Sequence, residues 1–253
     1  MRLLSIDWDY FIPTYPFDPQ LCMLYDWTMK DAPFFRDGIW LTRGAAFLLN
    51  GLPLPDTTGL EQSFWSRFRF AKDVKMYYGD SHLYAACIPD AHCVHEVWNF
   101  DAHHDLGYRG TQESILNARL IECDNWMGWY KHAGAKVRVL YPRWRPEAKQ
   151  EEAKPVFPGI RQIDNEQPVS VPFHAVYVCR SSSWSPAWLD DKFQRFMEAC
   201  PLLQGAINLQ PDYDALVPRQ FTREALDEQV AMWKQARELH EKMRRGELVS
   251  PIE

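Results

Sequence analysis

Two carboxylates and two imidazoles fall within five consecutive residues, Asp101-Ala102-His103-His104-Asp105, directly after the apolar run Val94 to Phe100. Buried charges need partners, so this cluster at the end of a buried strand points to a cation. In extended backbone Asp101, His103 and Asp105 point one way and His104 the other. Carboxylate with imidazole is a borderline-hard ligand set, better suited to Mn²⁺ or another divalent first-row ion than to thiolate zinc chemistry. Asp7-Trp8-Asp9 repeats the alternation after another apolar run. Alone that pair reads as a turn or a cap; beside the 101–105 cluster it reads as a second ligand edge. Gly79-Asp80-Ser81-His82 adds an imidazole that, alone, serves equally as a capping or core histidine. Two such Asp-x-Asp edges facing each other could hold two cations about 3.5–4 Å apart. Asp7, Asp9, Asp101 and Asp105 would repel without metal and some would stay protonated; two dications neutralise them.

All three clusters end short apolar segments that read as buried parallel strands: Arg2 to Trp8, Val74 to Tyr78, Val94 to Phe100, Lys136 to Tyr141 and Ala175 to Cys179. Helical patterns lie between them, at Ile39 to Leu49, Leu60 to Phe70, Glu113 to His132 and Pro186 to Ala199. A last helix is expected after Thr222 as N-cap, running to about Arg245, with Leu226, Val230, Trp233 and Leu239 at helical spacing. It is expected to pack on the sheet rather than to mediate a dimer, and the oligomeric state is not legible. The alternation implies an α/β chain, a three-layer α/β/α domain with a mostly parallel sheet, whose ligands sit beyond the carboxyl ends of the strands. Residues 1–253 read as one domain. Proline and mixed charge between Pro142 and Gly159 mark a mobile surface excursion.

Composition narrows the function classes. The chain has 253 residues, 46% of them hydrophobic and 25% charged, which is globular and not disordered. The net charge is -6, which argues against nucleic acid and leaves room for a cationic substrate. No window of about 18 apolar residues suggests a membrane span, and the opening residues do not read as a secretory signal. Six cysteines without a Cys-x-x-Cys pair read as buried thiols in a reducing cytoplasm.

Phe100-Asp101-Ala102-His103-His104-Asp105 resembles the Asp-Ala-His-x-Asp signature of the arginase–ureohydrolase superfamily. Ser5-Ile6-Asp7-Trp8-Asp9 resembles the start of its Ser-x-Asp-x-Asp signature, and Gly79-Asp80-Ser81-His82 is similar to its Gly-Gly-Asp-His-Ser segment. The resemblance implies an arginase/deacetylase-like fold and two manganese ions. One would be held by His82, Asp101, Asp105 and Asp7, the other by Asp101, His103, Asp7 and Asp9. It implies hydrolysis of a guanidinium with release of urea. The order differs from ordinary arginases, in which the Ser-x-Asp-x-Asp segment comes second; Ile12-Pro13 replaces the final Asp-Pro, and Ser81-His82 is reversed. Asp7-Trp8-Asp9-Tyr10-Phe11 and the segment from Val176 to Pro186 look more like an atypical arginase-like group that includes peptide arginases, which convert arginine side chains of a precursor peptide to ornithine. That likeness implies an arginine-containing peptide as partner, with Ser182, Trp184 and Glu166 near the substrate. Asp124, Asp164, Glu166 and Glu198 are candidates to grip the guanidinium, Asp124 being carried as catalytic. His104 is a candidate proton shuttle or support for the metal ligands, or a neighbour packed away from them.

Other readings stay open at this point. A haloacid-dehalogenase-type phosphatase also begins with Asp-x-Asp after a first strand, with Asp190-Asp191 as its later acid pair, but it leaves 101–105 unexplained. An Asp-His-His phosphoesterase and a one-metal zinc deacetylase fit less well. A small-molecule ureohydrolase and a non-catalytic peptide-binding scaffold complete the set.

Overall fold

The computed structural model describes residues 1–13, 33–145, 154–245 and 247. Seven strands form one sheet: β1 (Arg2–Asp7), β2 (Arg69–Gly79), β3 (Glu96–Phe100), β4 (Lys136–Tyr141), β5 (Ile160–Ile163), β6 (Pro172–Cys179) and β7 (Ile207–Asn208). Their order is β5-β4-β3-β1-β6-β2-β7, and every neighbouring pair is parallel. The chain places β3, β4 and β5 on one side of β1, then returns to insert β6 between β1 and β2. The reversal beside β1 opens a crevice at the carboxyl ends, where open α/β sheets bind ligands.

Alternation along each strand sorts the side chains into two cores. Leu4, Ile6, Met76, Tyr78, Phe100, Val176 and Val178 pack on one face with Trp8, Phe11, Phe64, Phe193 and Phe196. Leu3, Tyr77, Val97, Val137, Val139, Ala175 and Tyr177 pack on the other with Trp126, Met127, Tyr130 and Phe157. Among the described residues the α-helices are, in order, α1 (Pro33–Leu49), α2 (Gln112–Ala118), α3 (Trp126–His132), α4 (Asp190–Glu198) and α5 (Arg223–Arg244). With α3 on one face and α4 on the other, the expected three-layer α/β/α arrangement is present. Thr222 caps α5 by accepting from Ala225 N at 3.1 Å, and α5 packs on α1. Among the described residues no helix is long and apolar enough to cross a membrane.

Several local expectations are corrected. Leu60 to Phe70 is not one helix but two 3-10 turns, Leu60–Gln62 and Phe64–Arg67, with β2 beginning at Arg69. Phe64, Trp65 and Phe68 are buried at a spacing that mimics a helical face, while the Arg67 guanidinium is drawn to Asp164 at 2.7 Å. Glu113 to His132 breaks into α2 and α3 because Arg119 adopts φ 52 and Asn125 turns its amide onto the backbone of Leu120 and Glu122. Gly128 in α3 is required by a close approach, since a Cβ there would lie 2.3 Å from the Phe157 ring. The edge strands β5 and β7 were not expected from the sequence. Of the expected 142–159 excursion, residues 146–153 lie outside the described residues. The part after them is pinned, with Val156 and Phe157 N–H groups donating to Gly107 and Leu106 carbonyls and Phe157 buried. Cys179 and Cys200 are buried as expected, whereas Cys87 and Cys93 are exposed; Cys22 lies outside the described residues.

Candidate metal centre

The acidic and histidine clusters converge at the carboxyl ends of β1, β2 and β3, although not by strand alternation. Asp7 is the last residue of β1 and caps a 3-10 turn, Trp8–Phe11, accepting from Asp9 N at 3.0 Å. The turn, not an extended strand, brings Asp9 round to the same side, where its Oδ1 accepts from Ala102 N at 3.3 Å. Likewise β3 stops at Phe100, and Asp101 to Asp105 follow a bent path in which Asp105 has φ 49. The Asp101 carboxylate accepts from His103 N at 2.7 Å and from Asn99 Nδ2 at 2.9 Å, which holds it against the strand end. Asp105 Oδ2 accepts from the Trp126 indole N–H at 2.7 Å, and its carbonyl accepts from Met127 N.

His82 opens a 3-10 turn after β2. Its Nε2 is 2.8 Å from Ser5 Oγ, and its ring lies against Trp126, with centroids 4.7 Å apart. A neutral ring that donates Nε2–H to Ser5 would direct the lone pair of Nδ1 into the cluster. There Nδ1 lies 3.1 Å from Asp7 Oδ2, 3.2 Å from Asp101 Oδ2 and 3.1 Å from Asp105 Oδ2. On the other side His103 Nδ1 lies 2.9 Å from Asp9 Oδ2 and 3.5 Å from Asp101 Oδ1. Among the described residues three groups of potential ligand atoms emerge, each within 4.8 Å: His82 with Asp101 and Asp105, Asp9 with Asp101 and His103, and Asp7 with His82 and Cys179. Asp101 belongs to two of them.

The electrostatics of the metal-free cluster are strained. Burial, then the charges of Asp9 and Asp101, push the Asp7 carboxyl up to about 8. Burial and Asp101 push Asp105 well above the usual carboxylate range. Burial would also raise Asp101, but the imidazoles of His103 and His82 outweigh it and hold that group well below its ordinary value. Burial opposes protonation of both histidines. The carboxylates around them prevail, holding His82 well above its ordinary value and raising His103 to about 10. The hydrogen bonding is incomplete as well. Neither His82 Nδ1 nor Asp9 Oδ2 makes a hydrogen bond of acceptable geometry, although both are buried and about 3 Å from their neighbours. An imidazole nitrogen nearly equidistant from three carboxylate oxygens, aimed at none of them, is the donor set a divalent cation would complete. The residues present therefore fit a pair of divalent ions sharing Asp101.

The remaining expected site residues differ in their placement, and of them Trp184 makes a ring contact with a member of the cluster. Trp184 is half-buried beside His103, ring centroids 5.6 Å apart, with the Arg43 guanidinium over its ring at 5.9 Å. Ser182 is buried, donating its hydroxyl to Asp80 and accepting from Arg180 Nε at 2.9 Å, so it braces the segment before His82. His104 is buried with Nδ1 accepting from Leu106 N at 3.0 Å and its ring stacked on Tyr108 at 3.9 Å. Asp124 is half-buried and its carbonyl accepts from Gly107 N. Asp164 accepts from Tyr10 Oη at 2.6 Å and pairs with Arg67. Glu166 pairs with Arg143 at 3.3 Å, and Glu198 is exposed at the end of α4. Asp190 is held by the Arg219 guanidinium at 2.6 and 2.9 Å in a buried ion pair, whereas Asp191 is exposed. Sequence reasoning missed Ser5, Asn99, Trp126 and Cys179. The first had a visible signal, lying two residues before Asp7 on the same strand face; Trp126 had none, because its contact with Asp105 is made only in the folded chain.

No family model matches this chain, and no match to a curated protein or to a solved structure was found.

Proposed function

We propose that the chain is a dinuclear metal-dependent hydrolase that cleaves a C–N bond of a guanidinium, acting as a peptide arginase that turns arginine side chains into ornithine with release of urea. The observation that carries this reading is the pair of ligand groups sharing Asp101, with His82 Nδ1 and Asp9 Oδ2 buried and lacking hydrogen bonds. His82, Asp101, Asp105 and Asp7 would hold one ion, and Asp9, Asp101, His103 and Asp7 the other, manganese being the ion that best suits this set of carboxylates and imidazoles. Such a pair would supply Lewis-acid activation of water for hydrolysis at physiological pH.

The chain's own residues supply binding and orientation. Ser5 and Trp126 fix the ligands of the first group, His82 and Asp105, through one hydrogen bond each. His103 and Trp184 are the half-buried members of the site, so they mark its open side. A planar guanidinium entering there would meet the edge of the site formed by the Trp184 indole and His103, with the Asp9 carboxylate 2.9 Å from His103 Nδ1. Arg43 behind Trp184 packs on Trp40 and donates to the Ser183 carbonyl, which holds the wall in place. The negative net charge suits a basic peptide. The test is release of urea by the manganese-loaded protein from an arginine-containing peptide, free arginine and agmatine. Urea from the peptide, with loss of CH₂N₂ per arginine in its mass spectrum, is the expected result. Urea from free arginine or agmatine alone would assign a small-molecule ureohydrolase, and none from any of them would overturn the proposal.

A further inference from the structure

We propose that Cys179 is a sulfur donor to the cation pocket of Asp7 and His82, and that it biases this pocket towards thiophilic dications such as zinc, cobalt and cadmium. The inference rests on the dinuclear reading above and adds to it a ligand of different chemistry. Its basis is the register of three adjacent strands. Cys179 ends β6, paired with Asp7 at the end of β1 on one side and with Gly79 at the end of β2 on the other. It therefore stands between the strand that carries Asp7 and the strand that delivers His82 three residues later. Its Sγ lies with a carboxylate oxygen of Asp7 and a ring nitrogen of His82 inside one 4.8 Å group.

A buried thiol at a strand end is by itself a core residue. Here it shares its group with His82, which is 2% exposed and whose Nδ1 makes no hydrogen bond. That second observation marks the place as built for a ligand. The thiol contacts the Asp80 carbonyl at 3.3 Å, a weak interaction that ion binding can replace. As the metal–sulfur bond forms, the thiol proton leaves to solvent, so the charges balance without any further reactant. The second pocket, Asp9 with Asp101 and His103, offers only oxygen and nitrogen. The two halves of the centre thus differ in softness. A thiophilic ion is directed to the Asp7–His82–Cys179 side, and manganese suits the other.

The experiment uses the full chain carrying Cys87→Ser and Cys93→Ser, which removes the exposed thiols that would bind metal nonspecifically. Zinc-edge X-ray absorption on protein loaded with a single equivalent of zinc should show one sulfur scatterer at about 2.3 Å. Cobalt should produce a thiolate charge-transfer band in the near ultraviolet. Adding Cys179→Ser should abolish both signals, with folding of the variant checked by far-ultraviolet circular dichroism. The absorption measurement needs no change at Cys179, so it stands even if that variant fails to fold. Manganese binding with no sulfur scatterer, or a band that survives Cys179→Ser, overturns the sulfur donor and leaves the dinuclear reading standing. Failure to bind manganese, zinc or cobalt at all overturns both.

Discussion

Removing metal should make the stability of this protein steeply dependent on pH in a window where the loaded protein is indifferent. In the metal-free cluster the Asp7 carboxyl is raised from 3.8 to about 8 and His103 from 6.5 to about 10. Both folded-state values exceed the unfolded ones, so each group contributes stability that is complete below its unfolded pKa. That contribution is lost as pH rises through the folded pKa. Between pH 6.5 and 8 both groups hold a proton when folded and release it on unfolding, and each costs about 1.4 kcal/mol per pH unit. Together they make the slope on the order of 3 kcal/mol per pH unit. His82 and Asp105 are shifted upward too and steepen it, whereas the depressed Asp101 is already ionised in both states and adds nothing there. For a chain of this size that slope is a fall in Tm on the order of 6–12 °C per pH unit. Two dications replace the protons on Asp7, Asp105, His82 and His103, so loading should expel about four protons and flatten the curve. The assay is thermal unfolding at pH 6.5, 7.25 and 8 with a chelator and with manganese, beside pH-stat titration of the released protons. Parallel Tm curves in the two conditions, or a chelated protein that gains stability as pH rises, would refute the reasoning.

Asp101→Asn should cost both ions, because Asp101 belongs to both ligand groups; elemental analysis after gel filtration should fall from two equivalents of manganese to less than one. Ser5→Ala leaves the ligands in place but frees the His82 ring, so manganese affinity measured by calorimetry should drop about 10–100-fold with stoichiometry unchanged. His104→Ala should act on folding and not on metal. It removes the acceptor of the Leu106 N–H and the stack on Tyr108, a loss of about 1–3 kcal/mol in denaturant unfolding with manganese stoichiometry kept. A loss of metal in that variant would place His104 in the centre after all.

The centre of the sheet was legible because buried parallel strands are continuous apolar runs: Lys136–Tyr141 has the bounds its residues suggest, and β1 differs by one residue. The edges were not. Ile160–Ile163 is half-exposed and reads as loop, and β7 has only two residues. Helices misread where aromatic burial imitated a 3.6 period, as at Phe64, Trp65 and Phe68, and where a side-chain amide competed with the ladder, as at Asn125. The six carboxylate and imidazole side chains of the cluster were legible as residue types at strand ends, yet the expected cause of their convergence was wrong. Asp9 and Asp105 reach the cluster through a 3-10 turn and a left-handed residue, which depend on contacts from Ala102 and Trp126 that no local pattern reveals.

The cost of this arrangement supports its being a site. Four acids and two imidazoles, all but His103 buried, are gathered without an arginine or lysine among them, unlike the buried acids Asp80, Asp164 and Asp190, each of which has a guanidinium partner. Well-packed hydrophobic residues in their place would often be as stable or more so. Asp105 adds a left-handed backbone, a conformation worth about 1–2 kcal/mol of strain for a residue with a Cβ. The surroundings do not relieve these costs; they preserve them. Ser5, Asn99 and Trp126 direct their polar groups at His82, Asp101 and Asp105, orienting each ligand without neutralising its charge. A structural ion pair would be closed by such donors. Here they leave one imidazole nitrogen facing three carboxylates without a hydrogen bond of its own, an arrangement that positive charge brought from outside would resolve.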